Sequence, residues 1–326
     1  MKDRLVNLLK LGISAGLLFV LFRTMDVRDS WDALRGMNIG LFLVALSLLW
    51  LTKLIRAYRW RVLLDAVDVR VPIWRLTYLY VVGTFFNTFL PSGFGGDAVR
   101  IYELNRYSHR GPASVSTVLL ERLVGLAMIF ALGLAALPLI YADLPQPEAL
   151  VLTVVCGVGL IGSWLLFQHR IIEPLLGFLP PRMRAKMEAL YEVVHAATRT
   201  GALWQSLGIS LLFSFVLFII NYILALAVGI HVPIVYIMVF MPILSLSMTL
   251  PSVGALGTRE GAYVLVFAIA GVAAPMALAM SIAFYALNVA IGIVGGLLYA
   301  ADALLGLRTT APIADEALNP RHHEDN

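Results

Sequence analysis

The sequence contains little charge for its length. Of its 326 residues, 13% are Asp, Glu, Lys or Arg and 60% are hydrophobic, whereas soluble domains carry about 25% charged residues. A soluble fold of this size has too little interior to bury so much apolar surface. We therefore exclude a soluble enzyme, a disordered chain and a nucleic-acid-binding domain. The mean hydropathy of +0.87 predicts an all-α, polytopic membrane protein.

Cysteine and metal-ligand patterns are nearly absent as well. The single cysteine, Cys156, stands in an apolar run and excludes an internal disulfide. His322 and His323 lie in a polar tail, where we expect them to be solvated. The sequence has no Cys/His metal spacing, no Walker motif and no nucleophile–base pattern. We therefore expect no catalytic residue, no metal and no other cofactor, and we predict that the chain is not an enzyme.

Uncharged stretches mark the expected membrane spans, each of which needs about 20 mostly apolar residues. Six full spans are predicted, at residues 5–22, 36–55, 114–141, 149–167, 203–228 and 276–300. Most of the 24 Lys and Arg residues lie between them, mainly in residues 1–10, 53–75, 100–110, 170–199 and the tail. The positive-inside rule assigns these segments to the cytoplasm. We therefore expect a cell-membrane protein with both termini cytoplasmic.

Two further uncharged stretches are interrupted by proline and glycine. Residues 76–96 lie between two basic cytoplasmic segments, so they are expected to enter the membrane and return on the same side. A helix over residues 76–90 is about 22 Å long, which is short of the roughly 30 Å hydrocarbon core. Residues 234–257 are expected to enter from the outside and to break at Pro251. The sequence thus predicts two re-entrant broken-helix hairpins in addition to the six spans.

Both breaks open with the same tripeptide, Leu-Pro-Ser, at residues 90–92 and 250–252. Because the two hairpins enter from opposite sides, the pattern predicts an inverted-topology repeat, which places a substrate site at the midplane between broken helices. The alternative is that Pro and Gly merely kink two ordinary helices. The predicted organisation is a single membrane domain (1–306) with repeat one (36–142) and repeat two (201–301), followed by a polar cytoplasmic tail (307–326).

The segment 180–200 between the repeats is predicted to form an amphipathic cytoplasmic helix. Apolar residues recur there at helical spacing, with Arg and Lys between them, and Pro180-Pro181 is a typical helix start. Two interpretations are open. The helix either packs on the bundle as a surface helix or lies on anionic lipid.

The chemistry at the two breaks suits an anion. Glycine-rich turns let backbone amides approach a ligand, and a helix N-terminus carries partial positive charge and free N–H donors. Arg100 and Arg259 follow the breaks, and guanidinium groups match phosphate geometry. Asp97 and Thr258 are predicted to be the helix N-caps. The candidate substrate-binding residues at the breaks are Ser92, Gly95, Gly96, Asp97, Arg100, Ser252, Gly257, Arg259 and Glu260.

The span 114–141 carries two adjacent charges, Glu121 and Arg122, which complete the candidate binding residues. A charge at membrane depth costs at least about 2.5 to 3.5 kcal/mol, and adjacent helix residues do not face each other. Each is therefore expected to find a partner elsewhere. The two side chains either contact substrate or belong to a structural ion-pair network. The expected partners are Arg100 or Arg259 for Glu121, and Asp97 or Glu260 for Arg122.

Three sequence elements, in this order, resemble a known family. They are residues 86–100 with Gly-Gly-Asp-x-x-Arg, then Glu121-Arg122-Leu123, then Leu250-Pro251 with residues 257–261. The chain resembles the flippase-like membrane family, whose best-known member is the transmembrane flippase domain of lysylphosphatidylglycerol synthase, the multiple peptide resistance factor. The resemblance covers about residues 5–300. It implies a lipid translocase whose membrane-embedded charges are Asp97, Arg100, Glu121, Arg122, Arg259 and Glu260.

The resemblance has one important departure. The synthase carries a soluble aminoacyltransferase domain after its membrane part, whereas this chain ends in a short polar tail. We therefore do not expect the chain alone to lysylate lipid. The expected function is translocation of an anionic or zwitterionic phospholipid, with membrane lipids as partners and no nucleic acid. The alternatives are a translocase for a polyprenyl-phosphate-linked sugar, or a non-transporting scaffold for a separate lipid-modifying or glycosyl-transferring enzyme.

Overall fold

A computed structural model describes residues 27–89, 94–168, 180–249 and 257–305, and over these residues the protein is all-helical. The expected span 5–22, the residues Ser92 and Ser252, and the tail 307–326 lie outside the described residues. The described helices are α1 (Val27–Arg35), α2 (Ile39–Asp65), α3 (Ile73–Phe89), α4 (Gly95–Ser108), α5 (Gly111–Ala136), α6 (Gln146–Phe167), α7 (Pro181–Arg199), α8 (Ala202–Ala227), α9 (Ile234–Ser247), α10 (Thr258–Ile269) and α11 (Ala274–Leu305).

Five of these helices are long and apolar enough to cross a membrane, namely α2, α5, α6, α8 and α11. They coincide with five of the predicted spans, with ends that differ by a few residues and, in α2, by ten. The protein is therefore a multi-pass membrane protein. Two short 3-10 turns, Leu137–Leu139 and Tyr141–Asp143, connect α5 to α6.

Helix α2 is longer than the sequence predicted. It continues without interruption to Asp65 instead of ending near Ile55. The last turns are stabilised by burial, because Trp60, Leu63 and Leu64 are fully enclosed. The prediction that residues 53–75 form a connecting segment is therefore wrong for its first part, and several bases of this segment lie inside the bundle.

Two pairs of shorter helices flank the predicted breaks. Helices α3 and α4 contact each other, as do α9 and α10. Their lengths are 17, 14, 14 and 12 residues, or about 18 to 26 Å at 1.5 Å per residue. Each is thus shorter than the roughly 30 Å that a full crossing requires.

One face of α7 packs on the bundle. Leu190, Val194 and Ala197 are buried in a cluster with Leu63 of α2 and Val124 of α5. The opposite face is exposed and includes Met183 and Lys186. This arrangement agrees with the first of the two interpretations of the segment, a surface helix that packs against the bundle.

Candidate functional site

A cavity of about 330 Å³ lies between the two helix pairs and the long helices around them. Its volume falls within the range of small-molecule sites, about 300 to 1,000 Å³. Among the described residues that line it, none is a carboxylate. Its charged lining residues are all basic: Lys53, Arg56, Arg59, Arg122 and Arg259.

The fully buried carboxylate of Glu121 organises the wall behind the cavity. Its Oε1 forms an ion pair with Arg59 and a longer one, 3.4 Å, with Nε of Arg56. Its Oε2 lies 3.4 Å from Nη2 of Arg100. One acid on α5 therefore holds guanidinium groups from both α2 and α4, and it fixes where the Arg56 and Arg59 side chains can reach.

Arg100 is enclosed by aromatic rings and acids. Its Nη1 donates to Oδ1 of Asp97 at 3.1 Å. The guanidinium carbon lies 4.2 Å from the ring centre of Trp60 and 3.8 Å from that of Tyr80. Such cation–π contacts stabilise a desolvated guanidinium. Arg100 is 2% exposed and does not line the cavity, so it joins α4 to α2, α3 and α5.

Asp97 bridges two bases rather than capping a helix. Its second oxygen forms an ion pair with Arg122, whose guanidinium carbon lies 4.5 Å from the ring centre of Phe94. The prediction that Asp97 is the N-cap is wrong, because α4 already begins at Gly95 and Phe94 is the N-cap. The buried Arg100 and the partly exposed Arg122 take the two carboxylate oxygens.

The start of α4 lies unusually close to α3. The amide of Gly96 donates to Oδ1 of Asn87 at 2.7 Å, and a Cβ on Gly96 would collide with the carbonyl oxygen of Gly83. Two facing glycines thus let the backbones approach, as small residues do in helix interfaces within membranes. The Gly96 amide is consequently not a free donor for a ligand.

The second helix pair presents Arg259 to the cavity. Its Nε donates to Oγ of Ser281 at 3.1 Å, its Nη2 forms an ion pair with Glu260, and its guanidinium carbon lies 4.6 Å from the ring centre of Tyr285. Arg259 is 4% exposed. Helix α11 therefore holds Arg259 through a hydroxyl and a ring.

Glu260 has a local structural partner in addition. Its Oε2 accepts the backbone N–H of Gly257 at 2.7 Å, so the Glu260 side chain satisfies the amide of the N-cap residue at the start of α10. The prediction that Thr258 is the N-cap is wrong, because Gly257 occupies that position with a φ of 85°. This left-handed backbone favours glycine.

Comparison with known families agrees with the sequence resemblance. The family described as the lysylphosphatidylglycerol synthase TM region matches residues 7–296. The chain belongs to this family. The matched region contains both helix pairs and every residue that lines the cavity. Among curated proteins, none matches the chain.

The charges that the family resemblance singled out fall into two groups. Arg122 and Arg259 line the cavity. The other four lie behind its wall and contact the lining bases or each other, namely Asp97, Arg100, Glu121 and Glu260. Gly95, Gly96 and Gly257 start the helices α4 and α10 but do not line the cavity. Both expected pairs that involve Arg100 and Asp97 are present.

Reasoning from the sequence did not assign three bases of α2 to the site. Lys53, Arg56 and Arg59 were counted with the cytoplasmic charges, yet they line the cavity. Their spacing of three residues places them along one side of a helix, and this spacing was the available signal. Among the described residues, no acceptor pairs with the ammonium group of Lys53.

Proposed function

We propose that the protein translocates a lipid with a phosphate-bearing headgroup between the two leaflets of the cell membrane. The observation that carries the proposal is the cavity enclosed by the apolar helices, whose five charged lining residues are all basic. Bases at membrane depth are costly and typically mark a substrate pathway. Family membership supports lipid handling.

The cavity offers different chemistry to the two parts of a lipid. Guanidinium and ammonium groups suit phosphate oxygens. Apolar side chains such as Leu49, Ile129 and Phe284 line the remaining wall and suit the start of an acyl chain. In this proposal Lys53, Arg56, Arg59, Arg122 and Arg259 hold the headgroup, while Glu121 and Glu260 fix the bases. The protein performs no bond chemistry of its own.

The proposed topology has six spans, the first at residues 5–22, and two re-entrant hairpins made of α3–α4 and α9–α10. The four hairpin helices are shorter than a full crossing. The distribution of Lys and Arg favours cytoplasmic termini. The hairpins would then enter from opposite faces and meet at the cavity, which both of them line.

Helix contacts support an inverted repeat. When α2, α3, α4 and α5 are matched with α8, α9, α10 and α11, each of the main contacts among these eight helices has a counterpart. The contact of α3 with α11 matches that of α9 with α5, while α2 packs on its own counterpart α8. The correspondence extends to α1 on α11 and α7 on α5. This pattern is expected of two halves related by a pseudo-two-fold axis.

Leaflet exchange in vesicles tests the proposal. Purified protein is reconstituted, and the accessibility of a fluorescent phospholipid to a membrane-impermeant quencher is followed over time. We expect exchange above that of protein-free vesicles, slowed by Arg56→Gln and unchanged by Arg61→Gln. Arg61 is the matched control because it lies on the same helix but pairs with Asp65 on the surface.

The same experiment separates the proposal from its alternatives. Exchange restricted to polyprenyl phosphates would identify the longer-tailed substrate class. The absence of exchange for both phospholipids and polyprenyl phosphates would reject translocation. In a scaffold, moreover, Arg56→Gln would leave the function of the partner enzyme intact.

A further inference from the structure

We propose that the cavity prefers a lipid whose headgroup ends in a phosphomonoester or diphosphate, which carries about two negative charges. Lipids with a single phosphodiester charge would bind less tightly. This inference rests on the proposed function. The headgroup class follows from the charges that line the cavity and stand behind it.

The charge count of the site leaves a positive surplus. Six bases surround or back the cavity, and three carboxylates lie among them. Counted formally, six bases against three carboxylates leave a surplus of three positive charges among the described residues, although five of the six bases also contact a carboxylate. The bases are Lys53, Arg56, Arg59, Arg100, Arg122 and Arg259, and the acids are Asp97, Glu121 and Glu260. A phosphomonoester contributes about 1.5 to 2 negative charges and neutralises most of this surplus, whereas a phosphodiester contributes one.

The carboxylates are already engaged by protein bases. Glu121 contacts three guanidinium groups, Asp97 contacts two, and Glu260 contacts Arg259 and the Gly257 amide. None of them lines the cavity. The site therefore offers no acid to a cationic headgroup, and lysylated phosphatidylglycerol would bring ammonium groups towards five bases.

Among the described residues, Lys53 is the lining base that pairs with no carboxylate. It is 6% exposed and lines the cavity, and no carboxylate or hydroxyl of the described residues pairs with it. Arg56 lies one helical turn away from it on α2, and both side chains line the same cavity. An ammonium group has three donors on a compact charge, so it suits a terminal phosphate that offers three oxygens.

Binding of short-chain lipids to the purified full-length protein tests this inference. Phosphatidic acid, phosphatidylglycerol, phosphatidylcholine and lysylphosphatidylglycerol with identical short chains are titrated calorimetrically, and a short polyprenyl phosphate is added as a second phosphomonoester. We expect phosphatidic acid to bind at least about tenfold more tightly than phosphatidylglycerol. If the polyprenyl phosphate binds as tightly as phosphatidic acid, the protein recognises the headgroup alone. If it binds more tightly, the preferred ligand is a polyprenyl phosphate.

Variants of Lys53 test the assigned residue. Lys53→Gln should weaken the binding of phosphatidic acid by about tenfold and the binding of phosphatidylglycerol much less. Lys53→Arg should retain the preference for phosphatidic acid. Arg61→Gln is the surface control on the same helix. Equal affinity of the wild-type protein for phosphatidic acid and phosphatidylglycerol would overturn the inference even if Lys53→Gln did not fold. Equal losses for both lipids in Lys53→Gln would overturn the assignment of this selectivity to Lys53.

Leaflet exchange of the same lipids distinguishes this inference from the proposed function. Selective binding of phosphatidic acid without exchange of any lipid rejects translocation and leaves the headgroup selectivity standing. Equal binding and equal exchange of phosphatidic acid and phosphatidylglycerol reject the selectivity and leave translocation standing.

Discussion

The backbone amide of Gly96 donates a hydrogen bond of 2.7 Å to the side-chain oxygen of Asn87. This bond ties the first turn of α4 to the last turn of α3, on either side of residues 90–93. The contact is possible because Gly83 and Gly96 let the two helices approach closely. Asp97 and Arg100, which hold α4 against α5 and α2, follow directly along the chain.

Replacing Gly96 by alanine should separate these helices. The added Cβ would collide with the Gly83 carbonyl and lie 2.7 Å from Nδ2 of Asn87, and backbone cannot move aside as a flexible side chain does. Overpacking of this kind typically costs about 1 to 3 kcal/mol. Thermal unfolding in detergent should show a lower Tm. The control is Gly208→Ala in α8, where nothing lies within 4 Å, and an unchanged Tm in both variants would contradict the packing argument.

Glu121→Gln should destabilise the protein strongly. The substitution keeps the shape but removes the charge that faces Arg56, Arg59 and Arg100. Breaking a buried ion pair by removing one partner typically costs about 3 to 5 kcal/mol. The readout is the midpoint of chemical unfolding.

The control for Glu121 is Glu188→Gln in α7. Glu188 pairs with Arg184 on the surface, where the side chain of Glu188 is 49% exposed, and such pairs contribute about 0 to 1 kcal/mol. Similar midpoints for the two variants would show that the Glu121 network does not stabilise the fold.

The sequence allowed the class of fold and part of the site to be predicted. The length of an apolar stretch predicts a membrane-spanning helix, because about 20 residues are needed to cross the hydrocarbon core. Five of the expected spans are helices long enough to do so. The partners of Glu121 and Arg122 could be narrowed to two candidates each, because a buried charge requires an opposite charge. Arg100 and Asp97 were among those candidates.

The bases of α2 could not be placed by the same reasoning. Counting Lys and Arg assigns every clustered base to the cytoplasm, and it cannot detect a base that tertiary contacts draw into the bundle. Arg59 is buried because Glu121, 62 residues away, and Ser210, 151 residues away, accept its hydrogen bonds. Those contacts exist only once the helices have packed. Asp97 was mistaken for a cap for the same reason, since its partners come from tertiary structure.

Leu190→Ala tests how α7 is attached. Leu190 is 4% exposed in a cluster with residues of α2, α5 and α8, and truncating a buried leucine typically costs about 2 to 5 kcal/mol. Met183→Ala on the exposed face should change stability by less than about 0.5 kcal/mol. Chemical unfolding measures both. If Leu190→Ala were neutral, α7 would be held by lipid rather than by the bundle.

Variants of Arg259 give the sharpest test between a lipid translocase and a non-transporting scaffold. Arg259→Gln removes the charge that α10 presents to the cavity, although Glu260 keeps its bond to the Gly257 amide and so preserves the helix start. We expect lipid exchange in vesicles to slow by about tenfold, which corresponds to the loss of roughly 1.4 kcal/mol in the transition state. Arg259→Lys keeps the charge but loses the planar contact with Tyr285 and should be intermediate. A scaffold that recruits an enzyme through α7 predicts the reverse. There Arg259→Gln is silent, and Lys186→Gln on the exposed face of α7 abolishes function.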